Sequence, residues 1–266
     1  MDFLSGFLQN SMIQGLVLSP LIGALLGVLF SGLSSSPSQT VPVTIIKTRE
    51  VYREKVIKEY SGERPKRQSD NDDGLGWLCL LCLGALFILW KYAIHAEQIQ
   101  YYIGSSILTI LSFSVVTMMI SYFKGHFTSQ EWWLYTVAPV GILMACVYVL
   151  NLAKNSFDSR ITEVAMNNSF MGFYLEDLSD YGKVYMLVHV FGVVFLVIVV
   201  ALTGLSLLFY LSLMNQRSYS SIQRFWRWMA RITSFFSGSG WLVLAIICLV
   251  LSYLGIHPNM AAAWIM

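Results

Sequence analysis

Apolar residues along this chain come in long unbroken blocks, not in the 3.6-residue or two-residue alternation of a half-buried helix or strand. The blocks cover residues 12–33, 75–94, 101–123, 132–152, 184–214 and 240 to about 256, each with at most one or two ionisable side chains. About 20 apolar residues suffice to cross the hydrocarbon core, so every block is a transmembrane candidate. The pattern predicts an all-α polytopic membrane protein of about six transmembrane helices, with a short β-prone cytoplasmic segment after the first. Three regions follow: an N-terminal transmembrane segment 1–33, a charged loop 34–74, and a five-helix transmembrane domain 75–266.

The polar stretches set orientation. Residues 34–74 hold eight Lys and Arg, and residues 215–239 hold Arg217, Arg224, Arg227 and Arg231 without an acid. Basic loops stay cytoplasmic, so 34–74, 124–131 and 215–239 are expected inside, and 153–183, with five acids, outside. The N-terminus Met1-Asp2-Phe3-Leu4 lacks the basic start of a cleavable signal, so the first block is expected to be retained. Ser19-Pro20 leaves two forms open for it, a full span or a kinked, re-entrant element. The fifth block is 31 residues, about 46 Å as a helix, and must tilt or project beyond roughly 30 Å of hydrocarbon.

Within the first block, Gly15, Ser19, Gly23, Gly27 and Ser31 recur at every fourth position. Such a stripe lets two helix backbones approach closely, and close packing drives association where lipid is as apolar as leucine. It serves either another helix of the same chain or several copies assembled around an axis, lining or sealing a pore.

Residues 40–51 are rich in β-branched side chains and predict a strand, restricted by Pro42; residues 51–60 fit a helix equally well. Lys47, Arg49, Arg53, Lys55 and Lys58 in this region form a candidate surface for a cytosolic protein partner. Residues 61–74 are polar throughout and read as a flexible linker.

Residues 216–232 predict a basic amphipathic helix. Arg217, Arg224 and Arg231 recur at heptad spacing with Arg227 between them, and Ile222, Phe225, Trp226, Met229 and Ile232 take the complementary face. The arginines are candidates for binding anionic lipid headgroups, in preference to a cytosolic protein.

Candidate chemistry is sparse. The block centres hold no Asp or Glu. Lys91 and His189 lie toward block ends and are read as interfacial anchors. His95, His126 and His257 stand apart from any metal-ligand spacing, so no metal is expected. Cys79 and Cys82 form a CxxC inside an apolar run, without a base or helix-start charge to activate a thiol. No nucleotide fingerprint is present, and no catalytic residue or cofactor is expected. With 17 Lys plus Arg against 15 Asp plus Glu, the chain has no excess charge that would point to nucleic acid.

The leading expectation is a homo-oligomeric protein of a bacterial inner membrane that forms or gates a pore. The alternative is a membrane anchor or sensor subunit that recruits a cytosolic effector, as in stress or anti-phage systems. A transporter ranks third, because coupling normally needs midplane polar groups and paired broken helices. Expected partners are membrane lipids, further copies of the chain and a cytosolic protein.

Overall fold

The computed structural model describes residues 11–32, 74–123, 130–215 and 223–257. These residues form helices and no strand: α1 (Ser11–Gly32), α2 (Gly74–Phe123), α3 (Gln130–Ser156), α4 (Ser159–Asn167), α5 (Asp180–Asn215), α6 (Gln223–Thr233) and α7 (Ser239–Ile256). A helical turn at Phe170–Gly172, widening into a π-helical turn at Phe173–Asp177, joins α4 to α5. Four stretches are long and apolar enough to cross a membrane: Leu83–Ile120, Leu134–Ser156, Asp180–Leu213 and Ser239–Ile256. The chain is therefore built as an integral membrane protein. The β-prone stretch 40–51 and the linker 61–74 fall outside the described residues, apart from Gly74.

Two expected spans, 75–94 and 101–123, are one helix of 50 residues. Between them the sequence reads His95-Ala96-Glu97-Gln98-Ile99-Gln100. It is polar enough to interrupt a hydropathy plot, yet holds no Gly or Pro that would stop a helix. Only His95, at φ −115° and ψ 23°, leaves helical geometry, which bends α2 without reversing it. Helix α1 continues through Pro20 over 22 residues, and its described apolar stretch, Val17–Leu29, is shorter than the four spans.

The bundle has two chemically distinct ends. At the arginine end the rings of Tyr135 (α3) and Tyr210 (α5) stack at 4.6 Å, and the Gly238 N–H donates to Tyr210 Oη at 3.1 Å. At the opposite end the Tyr185 hydroxyl donates to the Ser156 carbonyl, and Ser252 Oγ donates to the Gly192 carbonyl at 2.8 Å. These pairs make α3 and α7 antiparallel to α5. The C-terminal half of α2 runs parallel to α5, with Tyr92 beside His189 at one end and Phe113 against the Phe209–Tyr210–Leu213 cluster at the other. Helix α5 is central, burying Met186, Val193, Leu196, Val199 and Leu207, while Leu187, Phe191, Val194 and Val197 face outward as a lipid-facing surface does.

The N-terminal half of α2 continues past the opposite end, alongside the α4 to π-helical segment. The Tyr174 hydroxyl donates to the Leu86 carbonyl at 2.8 Å, and Trp90 meets Phe170 edge-on at 5.9 Å. Segment 157–178 thus packs as a cap on the N-terminal half of α2. Asp158 caps α4 through its Oδ1, which accepts from the Arg160 N–H at 3.0 Å, and Ile161 and Ala165 turn inward.

Candidate functional site

The small-residue stripe of α1 lies on the C-terminal half of α2. Gly15 faces Tyr101, Gly23 faces the backbone of Thr109 and Phe113, and Gly27 faces Phe113 and Val116. Residue numbers rise together on both helices, so α1 and this half of α2 run parallel. Ser19 is buried in the same contact, and Ser112 Oγ donates to the Pro20 carbonyl at 2.6 Å. Of the two uses open to the stripe, this is the one within the chain; the Ser31 side chain is outside the described set. The outward face of α1, with Val17, Leu18, Leu21, Leu25 and Leu29, is apolar and exposed.

A polar and aromatic cluster lies at the opposite end of the bundle. His189, 1% exposed, sits between Tyr92 of α2, Phe157 after α3 and Tyr185 one helical turn earlier on α5. Its Nε2 lies 3.3 Å from the Tyr92 hydroxyl, which also accepts from Gln100 Nε2 at 3.0 Å. The Nδ1 of His189 meets no protein partner among the described residues. Buried polar groups inside a bundle are costly unless paired, and here α2 and α5 pair Tyr92 Oη with His189 Nε2 and Gln100. His189, expected as an interfacial anchor, is instead buried, as is its partner Tyr92, and the signal that identifies them is a contact across 97 residues.

Lys91 does occupy an exposed position, with Nζ 4.7 Å from the Trp90 ring. Outside the spans, burial raises the Tyr174 phenol to about 12, which keeps it protonated as the donor to Leu86. Cys146 and Cys248 are buried in the bundle as free thiols. No group of three or more His, Cys, Asp or Glu side chains converges as a metal site among the described residues.

At the arginine end, α6 begins at Gln223, so Arg217 lies outside the described residues. Arg224, Arg227 and Arg231 are exposed. Trp226, Ala230 and Thr233 pack inward, while Phe225, Trp228 and Ile232 are exposed. The other basic candidates, Lys47, Arg49, Arg53, Lys55 and Lys58, also lie outside the described residues.

No protein-family model matches the chain. No curated protein matches it, and no solved structure does either.

Proposed function

We propose that this chain is a membrane-embedded anchor or sensor subunit, with the cap 157–178 as its receiving end and a cytoplasmic arginine end that serves a soluble effector. The supporting observation is the Tyr92–Gln100–His189 cluster, which ties α2 to α5 directly beneath the cap. Movement of the cap bears on Leu86 and Trp90 through Tyr174 and Phe170, and hence on the helix that carries Tyr92. The basic arginine end lies inside by the rule that basic loops remain cytoplasmic, in a bacterial inner membrane on this reading. The recruiting surface is the stretch with Lys47, Arg49, Arg53, Lys55 and Lys58. Full-length protein solubilised from its native membrane is expected to retain a cytosolic protein, and reversal of these five residues to Glu to release it. Retention of no protein by the unmodified chain rejects the reading.

A second reading, a pore formed by several copies, has its own support. Ile107, Leu143, Leu196 and Val199 are fully or almost fully buried, so one chain is filled where a lumen would run. A conducting path would then lie between chains, and the exposed apolar face of α1 provides a surface for such contacts. Discrete conductance steps from purified protein in planar bilayers are expected if copies form a pore. Silence from a verified oligomer rejects it. Neither reading assigns a catalytic residue, a cofactor, a metal or direct nucleic-acid binding.

A further inference from the structure

Helix α6 has three faces rather than two. Trp226, Ala230 and Thr233 form its buried face, and Ala230 packs with Phe209, Tyr210 and Leu213 at the end of α5. Arg224, Arg227 and Arg231 form a second stripe at i, i+3 and i+7, all exposed. Phe225, Trp228 and Ile232 form a third, also exposed, and the following turn extends it with Phe235, which is 72% exposed. At about 100° per residue the three stripes lie roughly 120° apart. The helix is therefore held side-on by one face while two chemically different faces remain outward.

What lies beside those faces follows from continuity with the spans. Helix α5 ends at Asn215 and α7 starts at Ser239, so α6 sits between the end of one span and the start of another. The rings of Phe235 and Phe236 each lie 5.1 Å from Trp241 in the first turn of α7, an aromatic belt of the kind found where a helix enters a bilayer. No Asp or Glu occurs between Gln216 and Gly240, so the stretch supplies no acidic partner for its arginines. A water-facing helix gains nothing from an exposed Trp228 and Ile232, whereas the boundary of headgroups and acyl chains solvates both stripes.

We infer that α6 docks on the anionic lipid surface at the arginine end, with Trp228, Ile232 and Phe235 entering the acyl boundary and Arg224, Arg227 and Arg231 binding lipid phosphates. This does not depend on the sensor or the pore reading. Guanidinium groups suit phosphate oxygens because their planar N–H forks bind two oxygens at once. Each basic contact contributes about a fivefold preference, and three together about 100-fold.

The test uses the full chain in detergent, titrated with phosphatidylglycerol or phosphatidylcholine, with retained lipid counted by native mass spectrometry. Phosphatidylglycerol is expected to bind at least about tenfold more tightly, by the same charge argument. R224Q/R227Q/R231Q removes the preference, and W228S/I232S weakens retention of both lipids. R224K/R227K/R231K keeps the charge and retains a reduced preference, which guards against loss through misfolding. Equal binding of the two lipids by the unmodified chain overturns the inference, as does a preference that survives the Gln variant. Full displacement of phosphatidylglycerol by excess inorganic phosphate also overturns it, since the site would then take a soluble anion. So does a cytosolic protein held by the three arginines in place of lipid.

Discussion

A methyl group added at Gly23 falls against the carbonyl oxygen of Thr109 and within 3.0 Å of the Phe113 nitrogen, both backbone atoms that cannot swing aside. At Gly15 the obstruction is the far end of the Tyr101 side chain, which can rotate. G23A is therefore expected to destabilise the α1–α2 contact by about 1–3 kcal/mol, and G15A by less. Denaturation in mixed detergent micelles with α1 cross-linking as readout measures both; equal effects would show that the two approaches are alike. In the polar cluster, Y92F removes the acceptor of Gln100 and the partner of His189, at an expected cost of about 1–3 kcal/mol by the same assay. The glycine stripe was legible because a four-residue spacing is local. His189 was not, since a histidine in an apolar run looks the same in sequence whether its ring faces a headgroup or a tyrosine on a distant helix.

The elements reveal where hydropathy patterns inform and where they stop. Blocks 132–152, 184–214 and 240–256 each fall within one helix, because charged or glycine-rich connections bound them. The stretch 95–100 misled for a physical reason: polarity marks a break in hydropathy, whereas ending a helix takes a residue that disfavours its dihedrals or hydrogen bonds. Gly238 makes the contrast plain. With φ of 105° it takes a backbone conformation open to glycine, and there the chain does turn before α7. Between α5 and α7, Gly192 and Gly255 allow close approach, and S252A, which removes the bond to the Gly192 carbonyl, is expected to cost about 0.5–2 kcal/mol. Tyr174 holds the cap to α2 as a neutral donor. Its phenol is raised from 10.0 to about 12, so its contribution is complete below pH 10 and disappears as pH rises through about 12. Cap protection against proteolysis, compared with Y174F, is expected to be flat across neutral pH.

For the whole molecule, composition and block length established the class, while the relation of one helix to another came only with three-dimensional packing. The charge asymmetry was plain in the sequence, with arginines after α5 and acids between α3 and α5. Nothing local could say that α1 lies parallel to the far half of α2, because that contact joins residues 92 positions apart. That separation has a consequence for biosynthesis. At roughly 5–20 residues per second, α1 leaves the ribosome about 5–20 s before the surface of α2 that receives it. During that interval its bare glycine stripe is open to the same stripe on another nascent chain, so crowded translation favours mispaired copies. Slower expression should give the monomerically packed α1 a better yield, and chains truncated before residue 101, which never make the receiving surface, should associate through α1.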